Sequence, residues 1–290
     1  MNRLLAQLAR MVLIVLAAGF ICALLVRYAP GALVDERELD PHLSEENLAA
    51  LRAEKASDAS VNANFIRYLR GAVHGDLGYS ESNRAPIAAL IADRAPETLR
   101  ELAIGLGGAW LIGLAAAIPA GRWRNAHLYD GLSSAAAALL LSVPAAVAAY
   151  VCLLAGLTSG VVLMIVVAPK IFRFARNLIV PAYGAPHVFM ARARGLSESR
   201  ILFAHVLPPS APQLLALAAA SVSMAIGAAI PIEAICEVPG LGRLAWQAAL
   251  ARDLPVLVNV TMLVALATTV AMTLAGARPW GEERKPEATR

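Results

Sequence analysis

Between residues 131 and 169 the chain contains no Asp, Glu, Lys or Arg, and this stretch restricts the fold more than any other. At 1.5 Å per residue, one helix of that length would be nearly twice the roughly 30 Å thickness of a hydrocarbon layer. So apolar a strip belongs in a membrane and must turn back within it. Gly156-Leu157-Thr158-Ser159-Gly160 supplies the turn residues. The rest of the chain agrees: 59% of residues are hydrophobic and 16% charged, against about 25% charged in soluble domains, and mean hydropathy is +0.63. Several further windows meet the requirement of about 20 apolar residues per crossing. The expected fold class is an all-α polytopic membrane protein with six transmembrane helices.

Residues 1–29 read as an N-terminal tail and first span. Its apolar core, 11–26, follows Arg3 and Arg10 and closes at Arg27. That core exceeds the roughly 7–15 residues of a cleavable signal, which favours an uncleaved span, with a cleaved signal as the alternative. Residues 30–95 are polar and acidic on balance and form an extracytoplasmic segment with short amphipathic helices. Ser44 caps one bearing Leu48 and Leu51, and Phe65, Tyr68 and Leu69 mark another, ended by turns at Gly71, Gly75 and Gly78. Pro86 and Pro96 suit the first turns of two more helices, the second entering the membrane. The transmembrane core, 96–277, has spans near 97–120, 131–155, 160–176, 212–230 and 254–275, and a polar tail covers 278–290.

The net charge of +4 suggests nucleic acid until the charges are placed. They fall between the apolar runs, and Lys170, Arg173, Arg176, Arg192, Arg194 and Arg200 face the single acid Glu198. By the positive-inside rule this stretch and both termini are cytoplasmic, and the partner is membrane lipid, not nucleic acid.

No chemistry of the chain's own is visible. Cys22, Cys152 and Cys236 form no close pair, and His42, His74, His127, His187 and His205 show no i, i+4 metal spacing. Nucleophile-elbow, zinc-protease and nucleotide-loop motifs are missing, so no catalytic, cofactor or metal residue is assigned. The spans read as almost free of ionisable groups, which disfavours a proton- or sodium-coupled carrier. Their polar side chains reduce to Ser142, Thr158, Ser221, Ser223, Asn259, Thr261, Thr268 and Thr269, and the translocation pathway stays unassigned. An intramembrane enzyme would need a base beside such a serine, and no histidine lies in an apolar run.

One polar interruption is organised differently. Ala191, Arg192, Ala193, Arg194, Gly195, Leu196 and Ser197 are followed by His205, Leu207 and Pro208, within a segment at 187–208. Gly195 permits a sharp turn between two short helices. Leu196 and Phe203 could then enter a groove on a partner while the arginines pair with its acids. Alternatively, the arginines only set topology.

These residues resemble the "ARAKGLS" coupling motif in permease subunits of dipeptide/oligopeptide/nickel-type ABC importers, particularly the first subunit of the pair. The similarity is collinear. Arg27-Tyr28-Ala29-Pro30-Gly31 resembles the end of the first span, and Ser44–Lys55 an acidic helix. Phe65–Leu69 with Gly75-Asp76-Leu77-Gly78-Tyr79-Ser80 resembles "QYL…GDLG-S". Arg94-Ala95-Pro96-Glu97-Thr98-Leu99 is similar to "R-P-T-L", Glu233–Arg243 to "E-x-V-F-x-x-P-G-x-G-R", and Ala251–Pro255 to "ARDYP". The resemblance implies a type I importer permease of MetI-like fold in a bacterial inner membrane. It further implies a second permease subunit in a heterodimer, two ATPase subunits that hydrolyse the ATP, and an extracytoplasmic binding protein. Its cargo would be peptides, ahead of nickel chelates or oligosaccharides, and the coupling residues would be those of 187–208. Four departures stand out: Phe189 replaces the motif's glutamate, the loop between spans three and four is short, Pro181, Gly184 and Pro186 precede the motif, and the tail after the sixth span lacks the usual ending. A diverged accessory subunit without transport activity is the alternative reading.

Overall fold

The computed structural model describes residues 2–28, 69–71, 75–122 and 127–276. The helix expected around Ser44, most of the one at 65–69, the basic turn beyond Arg122 and the polar tail lie outside these residues. The chain divides into two compact units, Met1–Pro96 with Leu244–Ala267, and Glu97–Arg243 with Thr268–Arg290.

The first unit contains helix α1, Asn2–Tyr28, and a small hairpin. Its strands, Tyr79–Ser80 (β1) and Ala85–Pro86 (β2), pair antiparallel with Tyr79 opposite Pro86. The expected turns at Gly75 and Gly78 occur, with φ of 83° and 82°.

Helix α2 runs unbroken over Ile87–Arg122. Pro86 precedes it, as expected, but Pro96 lies inside it and starts no separate helix. An interior proline costs about 3 kcal/mol, and close packing along the rest of α2 offsets that. A Cβ at Gly105 would lie 2.6 Å from Leu163, and one at Gly113 would lie 2.8 Å from Ile171. Small residues thus let α2 approach its neighbour in the way spanning helices favour.

The expected third span, 131–155, is broken. α3 (His127–Ser142) and α4 (Ala145–Leu154) meet at a 95° bend, where Pro144 withholds its N–H. The predicted turn follows, with Gly156 at φ 72°. α5 then runs Ser159–Tyr183, through both Pro169 and Pro181, beyond the expected 160–176. The chain breaks only at Gly184-Ala185, before α6 (Pro186–Ala193). After α7 (Glu198–Ile201) and a π turn at Leu202–Val206, α8 covers Leu207–Ile235. Pro212 therefore lies inside this helix, whereas the sequence suggested it as the start of a span. α9 (Leu241–Leu250) and α10 (Leu254–Gly276) complete the order.

The core of the second unit is a stripe on α5 (Leu163, Val167, Ile171, Ala175 and Ile179), meeting Leu217, Ala225 and Ile232 of α8. The four-residue spacing puts all five α5 side chains on one face. Across α5's other flank, Arg176 forms a bidentate ion pair with Asp130 of α3.

Among the described residues, four helices are long and apolar enough to cross a membrane, or five if the bent pair counts as one span. The expected six is not reached because α5 carries Lys170, Arg173 and Arg176 in its second half.

Candidate coupling segment and two carboxylate-held joints

The interruption after α5 folds as two short helices about a tight turn. Pro186 opens α6, where its fixed φ suits the first turn. Gly195 follows at φ 74°, and an added Cβ would meet nothing within 4 Å. The torsion, not space, requires glycine here. Ser197 caps α7, its Oγ accepting the Arg200 amide at 3.4 Å, and Glu198 stands in the first turn, where a negative charge is favoured.

The π turn has a readable cause. Consecutive prolines at 208 and 209 remove the amides that would serve the carbonyls of Ala204 and His205 in an α-helix. His187 Nε2 donates to the freed His205 carbonyl at 2.9 Å and so pins α6 to the start of α8. The two imidazoles lie 6.5 Å apart.

The other expected coupling residues divide into three groups. Ala191 is buried, and Leu196, half-buried, packs against the core, so it is not free to enter a partner. Arg192 turns inward as well. Its guanidinium donates to Glu198 at 2.9 and 3.3 Å, lies 5.7 Å from the centre of the Tyr183 ring and reaches the Arg122 carbonyl at 3.4 Å. Tyr183 is buried, and its hydroxyl meets no partner among the described residues. Ala193, Arg194, Gly195, Ser197 and Pro208 are exposed, and Leu207 is half-buried. Beside them Phe189 is 70% and Phe203 69% exposed. Arg194 and Leu196 also line an open cavity of about 310 Å³ with His187, Met190, Ala191 and His205.

Two buried carboxylates organise the remaining motifs. Glu233, fully buried, accepts the Thr98 hydroxyl at 2.7 Å. It also takes the amides of Gly242 at 2.7 Å and Arg243 at 3.1 Å, capping α9 from a distance. Thr98 closes the circuit by accepting the Leu241 amide at 2.8 Å. A Cβ on Gly240 would collide with the Glu233 carboxylate, which accounts for the glycine. In the first unit, Asp253 caps α10 through the Val256 amide at 3.3 Å. Its other oxygen accepts the hydroxyls of Ser80 and Ser82, each at 2.7 Å, and the Ser82 amide at 3.1 Å. Burial alone would raise this carboxyl, but these donors hold it below the ordinary range. Asn259 adds a bond to the Leu77 carbonyl at 3.0 Å.

The sequence profile of binding-protein-dependent transport system inner membrane components matches residues 110–277, more than half of the chain. The chain belongs to this family. It is the membrane-spanning permease subunit of an ABC importer. A Brucella suis protein named as a peptide permease is 28% identical over 280 residues, covering 86% of this chain and 87% of that one. The glutathione transport system permease protein GsiC of Escherichia coli K12 is 28% identical over 259 residues, with 82% of each covered. GsiC of Salmonella paratyphi A is 26% identical over 290 residues, with 92% of each covered. Membership implies ATPase and binding-protein partners.

Several polar groups expected to be available in the permease's spans are engaged locally. Ser221 accepts the Trp110 indole N–H at 3.1 Å and donates to the Ala218 carbonyl. Ser142 bonds its own helix, and Thr261 donates to Cys22 Sγ at 3.4 Å. The expectation of almost charge-free spans fails at Glu101, which is 3% exposed on α2. The sequence reads it, with Glu97, as a charge at the outer end of the second span.

Proposed function

We infer that this permease imports a peptide-sized solute, of the class named for its Brucella and Escherichia relatives. An extracytoplasmic binding protein delivers the solute, and two ATPase subunits drive uptake across a bacterial inner membrane through this chain and a second permease subunit. Both termini are cytoplasmic. Six passes follow if the bent α3–α4 pair is one and α5 another, which puts residues 187–208 on the cytoplasmic side with the basic residues of α5.

The single observation behind the docking assignment is the exposed aromatic pair, Phe189 and Phe203. It sits on a segment where Met190 is exposed as well and whose Arg194 and Arg200 make no ion pair among the described residues. An apolar patch rimmed by cations is the expected form of a protein-binding surface. The ATPase subunits are the partner that the family supplies.

The test is co-purification with candidate ATPase and permease partners, comparing wild type with Gly195→Glu. At φ 74° any side chain is strained, and the added acid opposes the arginine rim. Retention of ATPase by the wild type and its loss or uncoupling in the variant support the assignment. No ATPase retained by the wild type, or an unaffected variant, overturns it.

A further inference from the structure

We propose that Arg192 is the positioning residue through which movement of the coupling segment reaches α2 and α5; this rests on the reading of 187–208 as the ATPase-docking element. Three other elements converge on its guanidinium. Glu198 of α7 takes two of its N–H groups, at 2.9 and 3.3 Å. The Tyr183 ring, at the last residue of α5, lies under it at 5.7 Å. The carbonyl of Arg122, the last residue of α2, accepts a further N–H at 3.4 Å. Arg192 itself belongs to α6.

Each contact uses a different property of arginine. The planar fork meets the carboxylate with two donors, and the cation lies over the ring face. The positive charge suits the end of α2, where unpaired carbonyls carry the negative end of the helix dipole. Lysine offers a point charge and would satisfy one of these at a time. Directly beside the cation α2 and α5 touch, since a Cβ on Gly121 would lie 2.7 Å from Tyr183 Cδ2 and 3.3 Å from Val180 Cα. Tyr183 contributes its ring, its hydroxyl meeting no partner among the described residues.

The ion pair is about one-third exposed on both sides, where such pairs are worth at most about 1 kcal/mol. It adds little to folding, yet it joins the docking helix to the ends of two spans. Movement of α6 therefore carries the Tyr183 ring and the end of α2 with it.

The test uses the assembled importer in proteoliposomes, with ATPase subunits, second permease and binding protein. The readout is the ratio of ATP hydrolysis with binding protein plus trialanine or reduced glutathione to hydrolysis without them. Arg192→Gln and Arg192→Lys should retain ATPase on purification while the ratio falls about tenfold, a typical loss of coupling. The swap Arg192→Glu with Glu198→Arg should not restore it, since glutamate can neither stack on Tyr183 nor donate to the Arg122 carbonyl. A wild-type ratio in Arg192→Gln, full rescue by the swap, or loss of bound ATPase in the variants would overturn the proposal. Failure of the wild type to hold any ATPase is a separate result, and it removes the docking assignment itself.

Discussion

The coupling segment and the Glu233 joint lie at opposite ends of α8 and are held by opposite means. Glu233 is fully buried and surrounded by dipoles: one hydroxyl and two amides, with no cation among them. Glu198 is about one-third exposed and paired with a full charge on Arg192. A buried carboxylate satisfied by fixed donors is expensive to disturb, because every donor is stranded when it leaves. A water-exposed ion pair is readily broken and remade. The permease thus has a rigid end, where α2, α8 and α9 are clasped, and an end whose contacts can be exchanged at low cost.

Glu233→Ala should produce the largest effect on this contrast. It strands Thr98 Oγ1 and the amides of Gly242 and Arg243, at a cost of about 3 kcal/mol or more, and thermal unfolding of the detergent-purified protein should show a large drop. A drop no greater than that of a surface substitution would erase the difference between the two ends. Next is Asp253→Asn, where a neutral amide replaces a charge-assisted acceptor of four hydrogen bonds, at a cost of about 1–2 kcal/mol. Because the folded Asp253 carboxyl lies below its ordinary value, its stabilisation is fully present above about pH 3.9 and is lost as pH falls through the lowered folded value. Acid unfolding of the wild type should include this loss and that of Asp253→Asn should lack it, as read by a tryptophan-fluorescence titration.

Gly195→Ala should cost about 1–2 kcal/mol, from the left-handed torsion alone, since nothing lies near the added methyl. A larger loss in the melting curve would mean that the turn is packed and not simply bent. The smallest effect on stability belongs to Phe203→Ser, within about 0.5 kcal/mol of the wild type. The same substitution should still weaken ATPase retention in a pull-down. Equal retention would detach the exposed aromatics from docking.

The apolar runs, the turn at Gly156, the sharp bend at Gly195 and the starts of α6 and α10 are legible in the sequence, because each follows from local chemistry. Unbroken passage through Pro96, Pro181 and Pro212 is not. A proline states its own cost, while the packing that offsets it comes from residues far along the chain. The carboxylate joints are hidden for the same reason. Ser80 and Asp253 are 173 residues apart, and Thr98 and Glu233 are 135 apart, so only the fold unites them. Arg192 could be read as a positive-inside charge or as a partner for acids on another chain. Its pairing with Glu198 spans only six residues, but it requires the turn at Gly195 to bring them together.

The bend at Val143-Pro144 also bears on how the permease enters its membrane. α3 has 16 residues and α4 has 10, about 24 Å and 15 Å of helix, so neither limb can cross a layer roughly 30 Å thick by itself. Arg176, which pairs with Asp130 on the first limb, emerges from the ribosome only after both limbs have been made. The two limbs can therefore cross only together, as one bent pass, and Asp130 meets Arg176 only once α5 has followed them.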